Sequence, residues 1–134
     1  MHLIQLTDTL FVSGQPNPSD VPVLATQGFT LLICNRPDGE SPGQASMDEI
    51  EALAREHGMD YLRYPVTPVT FPGDDLETLA RAFNSSGKIL AYCRTGTRCT
   101  NLWVATREPE EARAAQEQAQ ALGFDLSLVA RFST

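Results

Sequence analysis

Apolar positions fall in short runs separated by clusters rich in Gly, Pro, Asn and Asp. Leu10–Ser13 reads as a short strand, and Gly14-Gln15-Pro16-Asn17-Pro18 behind it is a turn. Ser19 or Asp20 can cap a helix that runs to Gln27 and stops at Gly28. Phe29–Cys34 is an apolar run of the kind a strand shows when both its faces are buried. A polar loop, Asn35–Gln44, follows. Ser46 with Glu49 three residues later makes a capping box. Behind it Ile50, Leu53, Ala54 and His57 share one helical face, and Gly58 ends the helix.

Asp60–Val66 reads as a further strand and Thr67–Gly73 as a loop. Asp74 or Asp75 can cap a helix whose apolar face is Leu76, Leu79, Ala80 and Phe83. Lys88–Tyr92 is a strand that runs straight into Cys93-Arg94-Thr95-Gly96-Thr97-Arg98. A helix from Cys99 to about Arg107 is expected next. Pro109 suits a helix N1 position, and Glu110–Leu122 continues it to Gly123. Leu126–Phe132, capped by Asp125, closes the series.

Strands thus alternate with helices, which predicts an α/β fold with a mostly parallel sheet flanked by helices on both faces. With no internal repeat, the 134 residues are expected to form one domain, 1–134. In such sheets ligands bind at the carboxyl ends of strands, beside helix N-termini. The segment beginning at Cys93 stands at such a place.

Composition narrows the function. The net charge of -7 argues against nucleic acid as a partner, which needs a basic face. No apolar stretch approaches the about 18 residues of a membrane span. The N-terminus has neither a basic region nor a cleavage site, so no signal peptide is expected. Three Cys, an odd and low count, point to a reducing compartment, and a cytoplasmic location is expected. Two His and no C-x-x-C spacing leave no evident metal site, and no organic cofactor is implied.

The chemistry concentrates in Cys93–Arg98. A thiol at a strand end, ringed by backbone N–H groups of the next loop, sits in a positive field. Arg94 and Arg98 add two charges, so the Cys93 thiol is expected to be acidic. Gly96 permits a backbone turn closed to other residues, and Thr95 and Thr97 offer hydroxyls. The set makes an anion cradle with a nucleophile at its base.

Phe29–Glu40, Leu90–Trp103 and Val12–Pro16 together resemble the bacterial beta-lactamase hydrolase-like, phosphatase-like domain family, whose members are classed as sulfur transferases or phosphatases. The resemblance implies a fold similar to the dual-specificity tyrosine phosphatases. In those enzymes five residues separate the nucleophilic Cys from the Arg, and a His usually precedes the Cys. Here four residues separate Cys93 from Arg98, and Tyr92 precedes Cys93. That shorter loop is similar to the rhodanese sulfurtransferases. The phosphatases also place an acid Asp just after the strand matching Asp60–Val66, where this chain has Thr67-Pro68-Val69.

These departures favour a rhodanese-type sulfurtransferase that passes sulfane sulfur through a Cys93 persulfide to an acceptor thiol. The alternative is a phosphatase working through a Cys93 phosphocysteine, with Arg98 clamping two phosphate oxygens and Asp38, Asp74 or Asp75 as acid. A third reading is an inactive module that binds an anion or a partner. The substrate in the first two is a small anion. Arg36 and Asp38 are expected to pair and fix the Asn35–Glu40 loop beside the pocket, placing Arg36 among the anion ligands. Cys99 is a candidate resolving thiol, and Cys34 is assigned to the core. His57 is assigned a structural role, and Trp103 should pack under the loop.

Overall fold

The computed structural model describes residues 1–133. Five strands form one sheet: β1 (Ile4–Gln5), β2 (Leu10–Ser13), β3 (Phe29–Cys34), β4 (Asp60–Arg63) and β5 (Lys88–Tyr92). Six helices cover it: α1 (Asp20–Thr26), α2 (Met47–Glu56), α3 (Leu76–Phe83), α4 (Thr97–Ala105), α5 (Pro109–Ala121) and α6 (Ser127–Ser133). The strand order is β1-β2-β5-β3-β4, with only β1 antiparallel to its neighbour.

The central strands obey a period of two. Ile33, Ile89 and Ala91 face one core with Leu79, Phe83, Leu102 and Val104. Leu32, Cys34, Leu90 and Tyr92 face the other, with Val21, Leu24, Ile50 and Ala54. Side chains alternate across a strand, so a sheet covered on both faces has apolar residues at every strand position. That is why β3 and β5 read as apolar runs rather than alternating ones.

The expected capping box is present, with Glu49 N–H donating to Ser46 Oγ at 3.1 Å. Of the two candidates, Asp75 caps α3, accepting from Thr78 N. Ser19 precedes α1 without a capping bond, while Asp20 accepts from Asn17 N. Three boundaries differ from expectation. The Asp60–Val66 strand stops at Arg63, although Tyr64 N and Val66 N still donate to the carbonyls of Cys34 and Asn35. Pro65 between them has no N–H, and Asn35 Nδ2 takes the Tyr64 carbonyl, so regular pairing ends there. α4 begins at Thr97 instead of Cys99, because Gly96 turns the chain at φ 87° and the helix follows at once. β1 is a two-residue edge strand that no hydrophobic pattern announces. Among the described residues no helix is long and apolar enough to cross a membrane.

Candidate active site

β5 delivers Cys93 to the carboxyl edge of the sheet, flanked by β2 and β3. Its N–H donates to Ser13 O, which fixes the strand end. The chain then folds back over the sulfur, and Gly96 N–H donates to Cys93 Sγ at 3.1 Å. The Cys99 thiol, from the first turn of α4, also donates to that sulfur, joined by the N–H groups of Cys99 and Thr95. These donors outweigh burial and bring the Cys93 thiol down to about 5. The acidity expected of the loop is therefore present, although its largest contributor is Cys99 rather than either Arg. Burial, followed by its bond to Cys93, pushes the Cys99 thiol well up.

Two glycines make this geometry possible. Gly96 holds a φ of 87° and is buried against Val12 and Ser13. Gly14 lets the turn after β2 lie directly on the loop, where a Cβ would stand 2.8 Å from Arg94 O. Thr95 and Thr97 join hydroxyls at 3.1 Å across the turn. Asn101 ties the start of α4 to α6 through Thr97 O, Asp125 O and Val129 N.

Arg98 is anchored away from solvent. Its Nη1 donates to Glu40 Oε2 at 3.0 Å and Val66 O at 2.8 Å, and its Nη2 to Glu40 Oε1 at 3.1 Å. A guanidinium has five N–H donors, so Nε–H and one Nη2–H stay open along one edge, a fork matched to an anion. Glu40 also accepts from Arg36 Nε at 3.0 Å. Hydrogen bonds from the two arginines, Arg98 ahead of Arg36, hold its carboxyl below the usual range against the opposing effect of burial.

Arg36 and Asp38 do not pair. Arg36 is buried and spends its guanidinium on Glu40, Gln15 and Ser41. It is a cross-link between loops. Asp38 accepts from Met47 N at 2.9 Å, holding the loop to the start of α2. Glu40, which carries the contact with Arg98, is the residue that sequence reasoning passed over. Its signal was there: two arginines in paired motifs need a counter-charge, and Glu40 ends one of those motifs. Asp74 lines a separate cavity with Arg63 and Tyr64, beside the α3 cap. Arg94 is exposed. Trp103 is buried, with the Arg107 guanidinium over its ring. His57 follows α2 as its C-cap.

Residues 2–109 match the family model described as beta-lactamase hydrolase-like protein, phosphatase-like domain. A beta-lactamase hydrolase-like protein of Xylella fastidiosa is 34% identical over 131 residues. That match takes in 94% of this chain and 30% of the relative's length. A protein of the same description from Agrobacterium fabrum is 31% identical, over 98% of this chain and 32% of its own length. Among solved structures, a candidate phosphatase from Neisseria meningitidis superposes with a TM-score of 0.73 at 32% identity, covering 92% of this chain and 90% of that one. TpbA of P. aeruginosa, at 20% identity and a TM-score of 0.64 over 93% of this chain and 76% of that one, shares the fold. The fold is thus that of the tyrosine phosphatases, as expected, and the chain is phosphatase-like. This chain belongs to the phosphatase-like domain family of the beta-lactamase hydrolase-like proteins.

Proposed function

We propose that the chain is a cysteine-dependent phosphatase. The observation that carries this reading is a Cys93 thiol brought down to about 5 within a ring of loop donors, one residue before the free Arg94 and five before the anchored Arg98. At neutral pH such a sulfur is a thiolate ready to attack without a base. The loop N–H groups, with the hydroxyls of Thr95 and Thr97, receive the phosphoryl oxygens. The open Nε/Nη2 edge of Arg98 clamps two of them, while Glu40 keeps the guanidinium in place. Attack at phosphorus forms a phosphocysteine, and water returns the thiolate. The likeness to tyrosine-phosphatase folds supports this over the sulfur-transfer reading suggested by loop length.

The test is turnover of an aryl phosphate by wild type and by Cys93→Ser, with trapping of the phosphoenzyme. Cys93-dependent release of phosphate supports the reading. One observation keeps sulfur transfer as a second reading: the Thr67–Gly73 segment beside Arg98 carries no carboxyl group. A sulfane-sulfur donor needs no acid, because its leaving group is a stable anion. A mass gain of one sulfur on wild type after incubation with thiosulfate, without ester turnover, would replace the first reading by the second.

A further inference from the structure

Asn35 stands at the carboxyl end of β3, beside the strand that delivers Cys93, and it is fully buried. Ile33 faces the core that holds Cys93 and Cys34 faces the opposite one, so the alternation of the strand brings Asn35 to the Cys93 side. Its backbone joins three pieces of the site. The N–H donates to Tyr92 O at 2.9 Å, one residue before the nucleophile. The carbonyl accepts from Val66 N at 3.2 Å and lies 3.5 Å from Arg98 Nη1.

The side chain is used unevenly. Nδ2 donates to Tyr64 O at 3.0 Å. Among the described residues, Oδ1 is the one buried side-chain nitrogen or oxygen with no hydrogen-bond partner. The amide cannot be turned over, because Tyr64 O only accepts and would then face Oδ1. A buried acceptor left unpaired costs at least as much as one hydrogen bond contributes, so this amide adds nothing to stability. What it does is place a carbonyl. The ladder between β3 and β4 ends at Cys34 and Arg63, and Pro65 brings no N–H to the segment that follows. Asn35 Nδ2 holds Tyr64 O in that segment, and two residues on, Val66 O takes Arg98 Nη1 at 2.8 Å. That bond is shorter than either of those Arg98 makes to Glu40.

From this arrangement we propose that Asn35 is a positioning residue for the anion clamp: its amide holds Tyr64 O, which sets Val66 O against Arg98 and aims the open edge of the guanidinium at the phosphoryl oxygens. The inference rests on the reading of Cys93–Arg98 as a phosphoryl site. Glu40 reaches Arg98 from a loop, whereas Val66 O reaches it from the end of the sheet. Through Asn35 that end is bonded to Tyr92, the residue before Cys93, so the clamp is held in register with the nucleophile.

The experiment measures how well inorganic phosphate protects Cys93 from alkylation by iodoacetamide, with kcat/KM for an aryl phosphate on the same samples. Asn35→Leu keeps the branched shape and removes the donor. It should weaken protection about tenfold, as loss of one hydrogen bond at the clamp does, and lower kcat/KM to match. Without phosphate, alkylation should keep its midpoint near about 5, because the donors to the sulfur come from its own loop and α4. In an Arg98→Ala background the same substitution should weaken protection no further, because Asn35 acts through that guanidinium. Asn35→Thr, suited to a strand and with a hydroxyl too short to reach Tyr64 O, should repeat the result and serves if Asn35→Leu does not fold. Unchanged protection in these variants, losses that add in the double variant, or a displaced alkylation midpoint would each overturn the inference and leave the phosphatase standing. Protection that follows Asn35 and Arg98 without Cys93-dependent ester turnover would overturn the phosphatase and leave Asn35 positioning an anion site. Failure of phosphate to protect wild type would overturn both.

Discussion

Cys93 and Cys34 are the same side chain in nearly the same place. Each sits at the carboxyl end of a central parallel strand, and each is 1% exposed. Yet the Cys93 thiol is brought down to about 5, while burial pushes the Cys34 thiol up from its ordinary value. Burial alone disfavours a thiolate at both positions. The difference lies in the balance, because burial outweighs the hydrogen bonds that lower the thiol at Cys34, whereas the donors outweigh burial at Cys93. Cys34 donates its S–H to Arg36 O at 3.1 Å and lies beside the hydroxyls of Tyr61 and Tyr92. Cys93 accepts, from Gly96 N–H and from Cys99. A strand end is therefore not a reactive position in itself. What makes it one is a loop that turns its N–H groups inward, as the loop after β5 does.

The strongest way to break this comparison is to remove each sulfur in turn. Cys93→Ser should lower phosphoryl turnover by at least about 10⁴-fold, because the nucleophile is gone. Cys34→Ser should retain activity within a few-fold. A comparable loss in both variants, measured on folded protein, would mean that the loop donors are not what separates the two thiols. Next in size is the anchoring of Arg98. Glu40→Gln keeps one acceptor and loses the paired charge, so the guanidinium drifts from its place. A displacement of this kind costs about 10²-fold in kcat/KM. An unchanged value would show that the backbone acceptor Val66 O suffices.

A smaller effect is expected at Gly96. A Cβ there finds room, with Val12 Cγ2 at 3.5 Å, so the cost of Gly96→Ala is conformational. Holding a side chain at φ 87° costs about 1–2 kcal/mol. The altered turn also loosens the Gly96 N–H from the sulfur, so alkylation of Cys93 by iodoacetamide should titrate at a higher pH than in wild type. Cys99→Ala should move that titration the same way, since its thiol is the first donor to the sulfur. Stability loss without a shift in the alkylation profile would mean that the loop N–H groups do little to the thiol. If Cys99 acts as a resolving thiol, it captures a Cys93 sulfenic acid under peroxide, releasing water; peptide mapping should then find Cys93 joined to Cys99 and Cys34 still reduced.

Much of this was legible along the chain, for reasons that differ by residue. The alternation of apolar runs with capped helices specifies the sheet, because Ser46, Asp75 and Pro109 stop and start helices through bonds with their immediate neighbours. Cys93–Arg98 stood out because an acidic thiol needs donors and charge within a few residues. Glu40 did not, because its role depends on Arg98, 58 positions away, and on Arg36, which sequence spacing assigned to Asp38. The expected Arg36–Asp38 pairing failed because a Pro-Asp-Gly turn looks the same whether its carboxylate faces a neighbouring cation or the first N–H groups of a helix. Contacts that close across the sheet leave no periodicity to read.

The finest test of the comparison is the pH dependence of stability. Between about 5 and the unfolded thiol's 9.0, Cys93 is ionised in the folded chain and protonated in the unfolded one. The unfolded state then binds more protons, so stability rises with pH, by at most about 1.4 kcal/mol per unit. That contribution is complete above 9.0 and is lost as pH falls through about 5. The advantage of wild type over Cys93→Ala in urea denaturation should accordingly widen as pH is raised through this window. Cys34 has the opposite sign. Its folded thiol stays protonated above the value at which the unfolded thiol ionises, so its contribution is complete below 9.0 and declines as pH rises further. Wild type and Cys34→Ala should therefore differ by a constant amount across the window in which the Cys93 pair diverges. Parallel slopes for the two variants would mean that the two thiols share one protonation state, and the loop donors that outweigh burial at Cys93 would not be the cause of its reactivity.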